Sequence, residues 1–335
     1  MNILYLIGNG FDIAQGLKTS YQDFYKYLKE QEPKNKVEAQ MIEQITDDEC
    51  EKWSDLEFAL GQFTKDITDK DEFEDFYYDL CEQLRAYLIN QVKSYNPSKD
   101  IIDKYIKDLV RPDYYLNERE KLDYASYFKR YTGERIVTIV SFNYTDVIDK
   151  CLDIYNSERK LPTSGIPYRL RNVEKIHGTL GTSYLLMGVN DEKQIDNPEF
   201  AKDEDVLDYL VKPRSNYEIG TRIDERFTTY INDAHLIVTM GLSFGETDKV
   251  WWRTIGNRLK RDNDLIILLF VYERDLPIDD RRKAKIKRRV CRDFLAKCGI
   301  IKDNQSAFES RIYVYVGSGL FSPNVHIYQD DRKGL

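Results

Sequence analysis

Cysteine is scarce in this chain, five among 335 residues, and no two of them stand as Cys-x-x-Cys. The odd, scattered set of Cys50, Cys81, Cys151, Cys291 and Cys298 argues against a disulfide framework and against a four-cysteine zinc site. Reduced, buried thiols in a cytoplasmic protein are expected, with no metal. Long apolar runs are missing too: nothing approaches the ~20 residues that cross a bilayer, so no membrane partner is expected. No basic residue precedes the apolar N-terminal stretch, which ends in a glycine turn and so reads as a first strand and not a secretion signal. Internal repeats and low-complexity segments are absent. An excess of positive charge is absent as well: the net charge of −8 argues against a chain-wide nucleic-acid coat and leaves only a local basic patch open.

What is present is the composition of a globular protein, 32% charged and 41% hydrophobic residues, with length for one or two domains. The most informative stretch comes first. Met1 to Ile7 is an apolar strand that runs into Gly8-Asn9-Gly10. A strand that ends in a glycine turn and opens a helix brings backbone N–H groups to one point and suits a phosphate. Gly8 and Gly10 lack the Cβ atoms that would keep a pyrophosphate away. The spacing departs from Gly-x-Gly-x-x-Gly, with Ile13 at the third position, so a plain tight turn is the alternative.

Residues 21–130 are helical in pattern, with apolar positions such as Leu56, Leu60 and Phe63, then Phe73, Tyr77, Leu80 and Leu84, at three- and four-residue steps. They read as one helical insertion, serving for packing or as a lid or partner surface. Strand patterns follow at 135–141, 173–176, 184–189, 235–240, 265–272 and 311–316, with helical patterns at 248–260 and 280–298 between them. Near-continuous β-branched runs suit strands buried on both faces. The expected fold is α/β: a doubly wound, mostly parallel, Rossmann-like sheet of residues 1–20 and 131–320, a helical insertion of 21–130 and a tail of 321–335.

In such a sheet ligands bind at the carboxyl ends of the strands, and polar residues are concentrated there. Asn143 either holds a ribose hydroxyl or carboxamide or caps a turn, and Asp146 is equally an N-cap. His177, followed by Gly178, accepts a proton or holds a sugar, or is a satisfied core histidine; His235 and His326 read as structural. Gly241-Leu242-Ser243-Phe244-Gly245 forms either the second side of a dinucleotide site or a plain strand-to-helix turn. The basic run from Arg281 to Arg292 reads first as a solvated helix face and second as a phosphate-rich contact.

Ile7 to Phe24 closely resembles the opening of the AbiH family, and Ser141-Phe-Asn-Tyr-Thr-Asp146, Ile176-His-Gly178, Gly241-Leu-Ser-Phe-Gly245 and Trp53 with Glu57 are similar to its later motifs. The resemblance implies a bacterial anti-phage defence protein acting by abortive infection. The order of glycine turn, strand-end asparagine, His-Gly and Gly-x-Ser is also similar to the sirtuin-like NAD-binding fold. That resemblance implies cleavage of NAD to nicotinamide and ADP-ribose, with Asn143 orienting the ribose and His177 accepting a proton. It implies a carboxylate, Asp12 or Asp146, beside the reacting sugar, and Gly8, Asn9, Gly10, Phe11, Gly241, Ser243 and Phe244 around the cofactor. The chain departs from that group in having Thr145 two positions after the asparagine and Asn9 and Phe11-Asp12 in the first turn. It lacks the zinc module of protein deacetylases. Expected partners are NAD or a related nucleotide, a second copy of the chain in a homo-oligomer and a phage-derived trigger. A nucleotide-sensing module without catalysis and a nucleic-acid-targeting effector are the alternatives.

Overall fold

The computed structural model describes residues 1–46, 55–152, 160–161, 165–273, 276–317 and 319–323; Cys50, Trp53 and His326 lie outside the described residues. β1 (Asn2–Ile7) is followed by α1 (Gly10–Ala14), α2 (Tyr21–Leu28), α3 (Lys36–Thr46), α4 (Leu56–Phe63), α5 (Lys70–Val92), α6 (Lys99–Val110) and α7 (Glu118–Phe128). β2 (Arg135–Ser141), α8 (Val147–Cys151), β3 (Lys160–Leu161) and β4 (Tyr168–Lys175) come next. α9 (Glu204–Leu210), α10 (Lys212–Ile219) and α11 (Ile223–Asp233) lead to β5 (Leu236–Met240), α12 (Lys249–Arg261), β6 (Ile266–Val271), α13 (Asp280–Lys297), α14 (Ser306–Glu309) and β7 (Ile312–Val316).

The seven strands form one sheet in the order β3-β4-β2-β1-β5-β6-β7. All neighbours are parallel except β3 and β4. β1 sits in the middle, with Tyr5 opposite Ile139 of β2 on one side and Val238 of β5 on the other. The chain builds outward from β1 through β2 to β4, then returns to add β5, β6 and β7 on the opposite side. The order therefore reverses between β1 and β5.

Alternation along the strands divides the core in two. Ile3, Tyr5 and Ile7 point to one face with Val137, Ile139, Leu236 and Val238, under Tyr105, Leu109, Tyr124 and Phe128 of α6 and α7. Leu4 and Leu6 point to the other face with Val140, Ile237 and Ile267, under Phe227 of α11, Trp252 and Ile255 of α12 and Phe294 of α13. A third cluster joins α2 to α5 with the segment that links β4 to α10, through Phe24, Leu60, Phe73, Phe76 and Leu84 against Met187, Val189 and Leu210. Residues 21–130 thus serve two cores, α2–α5 one and α6–α7 the sheet itself.

Helix starts follow local chemistry. Ser20, Asp69 and Ser98 cap α2, α5 and α6 by accepting from backbone N–H groups, and Asn117 with Glu120 forms a capping box on α7.

Two strand expectations change. The pattern at 173–176 is only the end of β4, which begins at Tyr168. Its exposed Arg169 and Arg171 alternate with buried Tyr168 and Leu170, because this end of the sheet faces water on one side. Residues 184–189 are not a strand and make only the isolated bridges Gly178–Leu185 and Val189–Val211. Their apolar side chains pack instead into the helical cluster.

The glycine turns after β1 and β5 lie against each other. Gly8 N donates to Met240 O at 2.9 Å and Gly10 N to Gly241 O at 3.0 Å. A Cβ at Gly10 would sit 2.5 Å from Gly241 Cα, and one at Gly241, whose φ is +72°, would sit 2.6 Å from Phe11 N. Gly241→Ala is therefore expected to destabilise the fold by roughly 2 kcal/mol or more. Gly133→Ala has open space around it and ordinary φ; equal urea midpoints for the two variants would disprove the close-approach argument.

Candidate functional site

The carboxyl ends of β4, β2, β1 and β5 carry a buried polar cluster. His177, just beyond β4, is 5% exposed, and its Nε2 lies 3.1 Å from Asp248 Oδ1. Asp248 also accepts from Lys212 Nζ at 2.8 Å, and Lys212 donates to Glu57 Oε2 at 2.9 Å. Glu57 accepts from Tyr144 OH at 3.0 Å and Tyr21 OH at 3.4 Å. The ring of Phe142 stands edge-on to His177, with centroids 5.6 Å apart.

Beside this chain of contacts, Asn143 Nδ2 donates to Asp12 Oδ1 at 3.0 Å, and Thr145 Oγ1 donates to Asp12 Oδ2 at 2.5 Å. Asn143 is 5% exposed, and its Oδ1 is buried with no hydrogen-bond partner among the described residues. An orphaned buried acceptor costs stability and marks a place where a donor is wanted.

Burial works on each charge. It pushes the Asp12 carboxyl up to about 6, against the hydrogen bonds from Thr145 and Asn143. Burial and then the nearby Glu57 lift Asp55 to about 6. Asp224 is also lifted to about 6 by burial, with Asn216 and His177 opposing. Burial opposes the charge on Lys212, but Asp248 and Glu57 outweigh it and hold the ammonium protonated. Burial likewise opposes the charge of Asp248, and Lys212 and His177 reverse it, keeping that carboxylate ionised. The cluster is therefore rich in acid, with one lysine against Glu57 and Asp248 and further carboxyls close by.

The other expected residues are dispersed around this cluster. Gly8 and Gly10 N–H groups, two of the donors expected for phosphate, grip the second turn, and Phe11 N–H donates within the first turn to Gly8 O at 2.9 Å. Asn9 is tied to Thr19, accepting from its hydroxyl at 2.7 Å and donating to its carbonyl at 2.8 Å. Phe11 is fully buried between Tyr105 and Phe321. Phe244 adopts φ +55° and packs edge-on to Trp252 and Phe294. Asp146 pairs with Lys150 at 3.2 Å, so of the two carboxylate candidates it is Asp12 that touches Asn143. Gly241 and exposed Ser243 border a crevice of about 690 Å³ over the ends of β5, β6 and β7, together with Met240, Phe270 and exposed Tyr272.

Lys212 gives no signal in the sequence beyond a lysine before Pro213; only folding buries it. Asp248 reads as a helix start, yet its side chain makes no cap and turns to His177 and Lys212. The basic run is largely answered: Arg281, Lys283, Lys287, Arg289 and Arg292 pair with Asp279, Asp280, Glu120, Glu273 and Glu309. Among the described residues no group of three or more His, Cys, Asp or Glu is placed to hold a metal ion, and no helix is long and apolar enough to cross a membrane.

A mostly parallel seven-stranded sheet with helices packed on it defines an α/β protein. The chain belongs to the AbiH family: residues 4–270 match the family model described as Bacteriophage abortive infection AbiH. No curated protein matches it.

Two measurements test the cluster. Lys212→Met strands two buried carboxylates and is expected to cost roughly 3–5 kcal/mol by urea unfolding; a loss below 1 kcal/mol would mean that the pair is open to water. Asp12 has its folded pKa raised above the ordinary 3.8. Its stabilising contribution is thus full below about pH 4 and lost as pH rises through 6. Asp12→Asn should remove a fall on the order of 3 kcal/mol between those limits; an unchanged pH slope would refute the assignment.

Proposed function

We propose that this AbiH protein acts in abortive infection by binding NAD at the strand ends around β1 and hydrolysing its nicotinamide–ribose bond. The observation that supports this most is the acid-rich buried cluster beside Asn143 and His177. NAD carries its positive charge on the nicotinamide ring, and the charge passes to the ribose as an oxocarbenium ion when the bond breaks. A preorganised set of carboxylates that outnumbers Lys212 and Lys175, the latter paired with Asp149, favours such a cation. The strand order, read across the parallel strands, is that of dinucleotide-binding sheets, whose ligands lie at the reversal.

In this reading Asn143 Oδ1, which lacks a donor among the described residues, accepts from a ribose hydroxyl. His177 hydrogen-bonds the same sugar and takes a proton as water adds to the anomeric carbon. Nicotinamide leaves neutral with the electrons of the C–N bond, and the products are nicotinamide, ADP-ribose and one proton. Asp248 orients the His177 ring through Nε2. Asp12 holds the Asn143 amide in place. The crevice beside Ser243 takes the remainder of the nucleotide.

The deep burial of Asn143 and His177 favours a resting form that a phage-derived trigger opens. A defence NADase must be restrained in uninfected cells, so this restraint belongs to the proposal. The purified chain is mixed with NAD, with and without phage lysate, and free nicotinamide is measured. Nicotinamide release that falls at least 100-fold in His177→Ala and in Asn143→Ala is expected. No release under either condition, combined with tight NAD binding by calorimetry, would replace hydrolysis with nucleotide sensing.

A further inference from the structure

A second cavity, of about 540 Å³, lies between α5 and the segment from residue 183 to α10. Four tyrosines stand in its walls: Tyr77 and Tyr78 of α5, Tyr184, and Tyr209 of α9. The Tyr209 ring centroid stands 4.9 Å from that of Tyr77 and 5.8 Å from that of Tyr78. Tyr209 is 9% exposed, and its hydroxyl is buried without a hydrogen-bond partner among the described residues. Tyr78 is 51% exposed and keeps an aromatic face at the mouth.

The charge around these rings is acidic. Asp205 and Asp208 are answered by Lys70 at 3.2 Å and Arg214 at 2.6 Å. Glu74 and Glu218 have no cation within reach among the described residues, and the field of Glu74 reaches both Tyr78 and Tyr209. The one cation on the wall, Arg85, donates to the carbonyls of Leu180 and Thr182 at 3.0 and 2.9 Å and is not available to answer them.

Aromatic faces attract cations, and free carboxylates supply the countercharge. We infer that this cavity binds an organic cation, an alkylammonium or guanidinium on an apolar stem. The stem lies along the tyrosine rings at the mouth, with the cationic head between Glu74 and Glu218, which balance its charge. An anion is repelled here, and a neutral ligand gains nothing from the two glutamates. The cation comes either as a free polyamine or as a lysine or arginine side chain of a partner protein. The cavity also borders the cluster described above: Leu186 N donates to His177 O at 2.9 Å, and α10 begins at Lys212.

The full chain is titrated by calorimetry with spermidine, with doubly capped lysine and arginine, and with capped norleucine as the neutral control. Saturable binding of a cation at one site per chain is expected, at least tenfold tighter than norleucine. Glu74→Gln and Tyr78→Ala should each weaken it about fivefold or more. Glu74 is partly exposed and Tyr78 exposed, so both variants are expected to fold. Tighter binding of spermidine assigns the site to a free polyamine, and tighter binding of the capped amino acids assigns it to a protein side chain. No saturable binding at millimolar concentrations would overturn the inference, as would equal binding of norleucine or affinity unchanged in both Glu74→Gln and Tyr78→Ala. None of these outcomes depends on NAD turnover.

Discussion

A buried ammonium cannot stay charged in an apolar interior without carboxylates, and Lys212 takes its two from distant parts of the chain. Glu57 comes from α4 and Asp248 from the connection after β5, while Lys212 opens α10. Asp248 then holds His177, and Glu57 collects the hydroxyls of Tyr144 and Tyr21. One ion triad therefore ties the helical cluster to the ends of β2, β4 and β5. Such a triad adds little net stability over an apolar replacement, because desolvation offsets most of the attraction. What it imposes is registration: no member can move without leaving another charge unanswered in a dry interior.

The glycine turns act in the same place by sterics. Two loops packed backbone to backbone have no room for Cβ atoms, and their amides bind each other. The reversal of strand order between β1 and β5 thus becomes a rigid junction. On one side of it lies the acidic cluster, suited to a positive charge. On the other lies an open crevice with an exposed tyrosine, suited to a flat or apolar group. At the junction itself the Gly8 and Gly10 amides are already engaged with the second turn.

The sheet was largely legible because β1, β2, β5 and β6 are buried on both faces over most of their length and read as continuous apolar runs, and β7, though half-exposed on one face, is apolar or aromatic throughout. β4 was legible only in part, because its half-exposed face alternates with arginine. The run at 184–189 misled for the opposite reason: it is apolar because helices bury it, and no strand pairs with it. Periodicity reports burial and does not say what does the burying.

Around the site, the sequence by itself determined which residue types stand at strand ends: glycines where two loops must touch, and Asn143, His177 and Asp12 where the parallel sheet exposes its carboxyl edge. These follow from local rules, since strand, turn and helix start are written in neighbouring residues. Only the tertiary structure decided that Lys212 and Glu57, 155 residues apart, meet in the interior and that Asp248 turns from a helix cap to a histidine partner. It also decided that Phe11 is a core side chain and that Phe244, partly buried, packs against the core. Burial of charge depends on what folds over it, and no local pattern in a chain records its distant partner.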